Sequence, residues 1–184
     1  MRAVWRFFPA RAEGETLTLL DPDDGSVAAR WELPRQAGEE GLCITDFVLP
    51  EGDHVALLVT TAGEAVRERR GVEAEGEYLR SHVWAALALE SAEAAAELAH
   101  ARLRAAWGFD LADLPRRDAF AARYRGKRYS FGYPACPDLE GQRSLAALEP
   151  EDIGVTLTDG DMMDPEASVS ALVFHHPDAR YFGA

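Results

Sequence analysis

Cysteine is scarce in these 184 residues: only Cys43 and Cys136 occur. They lie far apart and without metal-ligand spacing, which argues against a disulfide framework or a thiolate metal site and reads as two reduced thiols in a cytoplasmic protein. Long apolar runs are missing as well. There is no stretch of eighteen apolar residues and no charged-then-apolar leader, so no segment is expected to span a membrane or direct export. Basic residues are few, 19 Lys and Arg against 32 Asp and Glu, for a formal net charge of −13. An acidic surface repels phosphates, which excludes nucleic acid as the general partner. What remains is ordinary for a globular domain, with 47% hydrophobic and 28% charged residues. A chain of this length buries roughly 70% of its unfolded surface, enough for one core without staples.

The charge is uneven. Arg116, Arg117, Arg123, Arg125, Lys127 and Arg128 face only Asp118 in their stretch. Such a run is usually a solvated loop, and its functional alternative is a docking patch for an anionic ligand or an acidic protein.

Hydrophobic patterning predicts strands and one dominant helix. Thr16 to Leu19 alternates, Asp21-Pro22-Asp23-Asp24-Gly25 is a turn, and Val27 to Leu33 follows, which reads as a hairpin. A second pair is expected at Leu42–Val48 and His54–Thr61, joined through Pro50-Glu51-Gly52-Asp53. From Tyr78 to Trp107 the sequence is alanine-rich and almost free of breakers, with Gly108 as the stop. Further strands are expected at Val155–Thr158 and Val169–His175. Hairpins with one long alanine-rich helix predict an α+β fold on a mostly antiparallel, twisted sheet, as one domain over residues 1–184.

Three features point to chemistry. In an alternating strand, Asp46 shares a face with Leu42, Ile44 and Val48, and a carboxylate there needs a partner. The residues leave two readings open, a structural ion pair or turn contact and a ligand contact. On the helix, Glu93, Glu97, His100 and Arg104 form a polar ridge beside an apolar stripe of Leu89, Ala92, Ala96, Leu103 and Trp107. Periodicity alone reads that ridge as a solvated face. The third feature is Arg128 to Asp138, where Gly132 permits a positive φ and Pro134 and Pro137 stiffen the chain. A rigid loop with an arginine fork and an aromatic face suits a small zwitterion carrying a flat ring.

The stretch Tyr124-Arg125-Gly126-Lys127-Arg128, running on into Phe131-Gly132-Tyr133-Pro134-Ala135-Cys136-Pro137, resembles the activation domain of vitamin B12-dependent methionine synthase. Arg2 to Ala10, Pro34-Arg35-Gln36, Leu42 to Val48, Ala95 to His100, Trp107-Gly108, Ser168-Val169-Ser170 and His176 to Phe182 agree in order, so the resemblance covers nearly the whole chain. It implies an S-adenosylmethionine site in which Arg128, Gly132 and Tyr133 match the Arg-to-Gly-Tyr signature. Asp46 would be a ligand-contacting aspartate, Glu93 a helical glutamate of the site, Ala135 a backbone contact, and Tyr181 and Phe182 an aromatic pair at the far wall. Three departures stand out. Tyr129-Ser130-Phe131 replaces a Pro-Ala-Pro common in the family, Ala122 stands where some members carry a glutamate, and the given sequence starts after and stops before helical segments usual in the family.

The implied role is reductive reactivation. S-adenosylmethionine donates its methyl group to cobalamin carried by a separate domain, a flavodoxin-type protein supplies the electron, and no side chain of this chain acts as a catalytic group. The sequence has no Asp-x-His-x-x-Gly stretch to ligate cobalamin, so the corrinoid must come from a partner, in cis or in trans. The basic segment from Arg116 to Arg128 is the expected docking surface. Two alternatives are a stand-alone protein that reactivates another corrinoid protein in trans, and a hydrolase using Asp46 and Glu93 as a carboxylate pair.

Overall fold

The computed structural model describes residues 1–37, 40–63, 78–109 and 114–182. Its strands are β1 (Arg2–Glu13), β2 (Thr16–Leu20), β3 (Val27–Glu32), β4 (Asp53–Thr61), β5 (Lys127–Tyr129), β6 (Thr156–Leu157), β7 (Met163–Asp164) and β8 (Ser168–Phe174); its helices are α1 (Tyr78–Ala106) and α2 (Arg116–Phe120). Six strands form one antiparallel sheet in the order β3-β2-β1-β4-β8-β5, and β6 pairs with β7 in a small ribbon. The α+β expectation holds, with the hairpin at β2 and β3. None of the described helices is long and apolar enough to cross a membrane.

Side-chain size along the central strands decides what covers each face. In β4, Val55, Leu57 and Val59 point one way, into a large core with Phe8, Leu17, Ile44, Phe47, Leu145, Leu172 and Phe174. Ala56 and Leu58 point the other way and meet Ala99 and Leu103 of α1, together with Ala171 and Val173 of β8. Ala92 and Ala96 pack on Val169 further along the helix. Small residues on both sides let the helix lie close to the sheet, and a centre buried on both faces reads as a nearly continuous apolar run. At its end α1 closes as a Schellman motif: Phe109 N–H donates to Arg104 O at 3.0 Å, Gly108 N–H to Ala105 O at 2.9 Å, and Gly108 takes φ 86°.

Four expectations are corrected here. Leu42–Val48 is not a strand paired with β4, whose neighbours are β1 and β8. Ile44–Phe47 is a 3-10 turn instead, closed by Asp46 N–H to Cys43 O at 3.0 Å and Val48 N–H to Thr45 O at 3.1 Å, while the Asp46 carboxylate accepts from Cys43 N–H at 2.9 Å. Aspartate satisfies the local backbone itself and so competes with a strand ladder. Asp46 is therefore exposed while Ile44, Thr45 and Phe47 are buried, and it does not share a face with aliphatic neighbours. The polar ridge of α1 is likewise not solvated along its length, because His100 is 0% and Arg104 2% exposed. Leu89, placed in the apolar stripe, is exposed.

Strand β1 was not anticipated, and Pro9 lies inside it. Its pairing with β2 begins only at Ala10, so the missing N–H of Pro9 falls outside the β2 register.

Candidate functional site

Register sets the site. In β5, Arg128 stands opposite Val173 and Tyr129 opposite Leu172. Val173 belongs to the face that α1 covers and Leu172 to the large core. Arg128 therefore rises beside α1, while Tyr129 enters the core. Arg128 Nη2 donates to Glu93 Oε2 at 3.0 Å, and its Nε lies 3.9 Å from Glu97 Oε2. That Nε is buried and makes no hydrogen bond.

The chain then turns sharply. Gly132 takes φ 83° and donates its N–H to Cys136 O at 2.8 Å, and Cys136 N–H donates to Tyr133 O at 2.8 Å. Gln36 braces this turn from outside, its Nε2 donating to Pro134 O at 3.1 Å. Burial pushes the Cys136 thiol up to about 12, so it stays protonated and inert at neutral pH. Opposite the turn, the Tyr129 hydroxyl donates to Arg180 O at 2.8 Å. This fixes the C-terminal segment, so that Tyr181 and Phe182 lie 5.9 and 6.0 Å from the Tyr129 ring.

Between these parts lies a groove of 350 Å³, lined by Glu93, Arg128, Tyr133, Ala135, Tyr181 and Phe182 together with Tyr129, Ser130 and Pro134. The volume falls within the range of small-molecule sites. Expected residues from helix, loop and C-terminal segment thus converge. Tyr129, Ser130 and Pro134 were not singled out as site residues, although they are contiguous with Arg128 and Tyr133. The groove offers a guanidinium, a carboxylate and an aromatic wall, which can hold a carboxylate, an ammonium or sulfonium, and a flat ring.

Two expected residues are not on its wall. Gly132 acts by allowing the turn. Asp46 is engaged elsewhere, since Arg35 Nη1 and Nη2 donate to its two oxygens at 2.8 and 2.9 Å. Those hydrogen bonds hold the Asp46 carboxyl below the usual carboxylate range, against a smaller upward push from burial. An acid–base pair of Asp46 and Glu93 is accordingly not assembled in the groove. In the basic segment, Arg116, Arg117, Arg123 and Arg125 are exposed, whereas Lys127 is buried and Arg128 is mostly covered.

The family described as vitamin B12 dependent methionine synthase, activation domain, matches residues 1–184. Two similar proteins are the methionine synthases of Mycobacterium tuberculosis, 37% identical over 97% of this chain, and of Mycobacterium leprae, 34% identical over the same share. The chain spans 17% and 16% of those proteins' lengths. Among solved structures, the MetH reactivation domain bound to AdoHcy superposes with a TM-score of 0.86 at 29% identity, covering 98% of this chain and 60% of that one. The chain belongs to the activation-domain family of vitamin B12-dependent methionine synthase.

Proposed function

We propose that this chain binds S-adenosylmethionine in the groove at Arg128 and presents its methyl group to a cobalamin held by another domain, in the reductive reactivation of methionine synthase. The observation that carries the reading is the groove itself. The Arg128–Glu93 pair and the aromatic wall stand together in a fold that matches a reactivation domain solved with AdoHcy, the demethylated form of this ligand. Arg128 takes the ligand carboxylate with a charge-assisted fork. Glu93, half exposed beside it, faces the cationic end, and the rings of Tyr181 and Phe182 cover the flat portion. Ala135 and Tyr133 hold the ligand from the turn that Gly132 makes possible. We assign Asp46 to the same site from its corner, since Gln36, next to its partner Arg35, already bonds the groove wall at Pro134.

The sulfonium and the cobalt supply the reactivity, while this chain binds and orients. The cobalamin domain and a flavodoxin-type reductant are the partners, in a cytoplasmic enzyme whose two cysteines remain free thiols. Arg116, Arg117, Arg123 and Arg125, exposed on one stretch, form the surface we assign to docking.

The test is methyl transfer from S-adenosylmethionine to cobalamin, followed spectroscopically with a cobalamin domain and a reductant. Transfer is expected only with both present. It should weaken as salt rises, because exposed charges are screened beyond a Debye length of about 8 Å at physiological strength. Turnover that needs neither corrinoid domain nor reductant would overturn the repair reading in favour of an ordinary methyltransferase.

A further inference from the structure

Behind Arg128, away from the groove, two further cations converge. Arg104 is 2% and Lys127, the single lysine of the chain, 6% exposed. The Arg104 guanidinium lies 3.7 Å from the Tyr124 ring centroid, and Lys127 Nζ lies 4.9 Å from the same centroid. Lys127 donates to the carbonyls of Tyr124 and Gly126 at 2.5 and 3.0 Å, so its charge is met by backbone dipoles. His100, buried beside them, has its pKa pushed down to about 2 by burial first and then by Arg104, Arg128 and Lys127, so it carries no charge at neutral pH.

One carboxylate stands at the centre of this group. Glu97 Oε2 accepts from the Tyr124 hydroxyl at 3.1 Å and lies 3.9 Å from Arg128 Nε, and its Oε1 lies 3.7 Å from Arg104 Nη2. Burial and the Glu97 charge both raise the Tyr124 pKa, which keeps that hydroxyl a donor. Glu97 is not on the groove wall, unlike Glu93 one helical turn earlier. The two carboxylates therefore hold different edges of Arg128. Glu93 reaches Nη2 from the groove side, and Glu97 attracts the buried Nε from behind.

We propose that Glu97 is a positioning residue for Arg128. Braced by Tyr124 and Arg104, it fixes the inner edge of the guanidinium so that the outer edge stays aimed into the groove when a ligand draws Glu93 away. This rests on the reading that Arg128 binds the ligand's carboxylate. Without Glu97, Arg104 and Arg128 would lose the charge between them, and mutual repulsion would turn the more exposed one, Arg128, out of position.

The experiment compares two ligands by calorimetry on the full chain. S-adenosylhomocysteine carries the amino-acid end, and 5′-methylthioadenosine keeps the nucleoside and thioether without it. Glu97→Gln is expected to weaken S-adenosylhomocysteine about tenfold while methylthioadenosine changes by less than about twofold. Tyr124→Phe keeps the ring under Arg104, removes the brace, and should show the same split more weakly; it decides the matter if Glu97→Gln does not fold. In an Arg128→Ala background the effect of either change on S-adenosylhomocysteine should vanish. Equal losses for both ligands, no loss for S-adenosylhomocysteine, or an undiminished effect without Arg128 would each overturn the proposal. Failure of the unaltered protein to bind S-adenosylhomocysteine would instead overturn the reading of the groove on which it rests.

Discussion

At the scale of residues, the site is a small set of charges whose partners are already chosen. Arg128 is mostly covered and tied to Glu93, so its removal takes away a charge-assisted contact. Arg128→Ala is expected to lose about 1.5–3 kcal/mol of S-adenosylmethionine binding, a tenfold to hundredfold weakening. Calorimetry on folded wild type and variant checks this, and equal affinities would remove Arg128 from the site. Asp46 has a double attachment, capping its own 3-10 turn and pairing with Arg35. Asp46→Asn is therefore expected to cost about 1–2 kcal/mol of stability, from a weakened cap and a lost exposed ion pair, and to weaken ligand binding besides. A lower melting temperature with unchanged affinity would leave Asp46 a purely structural residue.

At the scale of elements, two glycines frame the segment that carries Arg128 and differ in what surrounds them. Gly126 takes φ 81°, and a Cβ there would come within 2.7 Å of Phe174 O in the neighbouring strand; Gly132 takes φ 83°, and its Cβ would meet the end of the Leu139 side chain at 3.0 Å. Leu139 can give way, whereas a strand carbonyl cannot. Gly132→Ala should cost about 1–2 kcal/mol, the strain of a left-handed residue, and lower affinity by distorting the turn. Gly126→Ala should cost more, because it also pushes β5 off β8; chemical denaturation of both variants tests the ranking, and equal costs would contradict it. The sequence made some elements legible and hid others for identifiable reasons. The β2–β3 hairpin and the α1 stop were readable because turn residues and Gly108 punctuate them. Leu42–Val48 alternates like a strand, and only the capping habit of Asp46 turns it into a 3-10 segment. The ridge of Glu97, His100 and Arg104 has the same periodicity whether solvated or buried, so the burial of His100 and Arg104 beside Tyr124 and Lys127 could not be seen. Arg128 to Cys136 was legible because the loop is contiguous. The meeting of Glu93 with Tyr181 and Phe182 depends on β5 lying at the sheet edge, which spacing does not reveal without the family resemblance.

At the scale of the whole molecule, acid should destabilise the fold in two stages. His100 is neutral when folded, with a pKa near 2 against about 6.5 in an unfolded chain. Below about pH 6.5 the unfolded state binds a proton that the folded state refuses, so stability falls by up to about 1.4 kcal/mol per pH unit. Asp46 and Asp53 add to this lower down. Hydrogen bonds from Arg35 hold the first below its usual range; burial pushes the second up, but hydrogen bonds from His175, Leu49 and His54 together outweigh it and hold it low as well. Their contribution is intact above about pH 4 and is lost as pH falls through their folded values. His100→Phe is expected to flatten the urea-stability profile between about pH 6.5 and 4.5 while leaving the steeper loss below about pH 4. Identical slopes for wild type and variant would show that His100 takes up its proton without unfolding.

The strand that carries Arg128 is the last one of the sheet, and around it Tyr133 is 63% and Tyr181 51% exposed. A ligand seated there lies on the rim of the molecule. Past the exposed rings of Tyr133 and Tyr181, a second body can reach it from outside. For a reaction whose acceptor travels on a different domain, delivery then becomes a matter of two preformed surfaces meeting, and its rate a matter of how often they do.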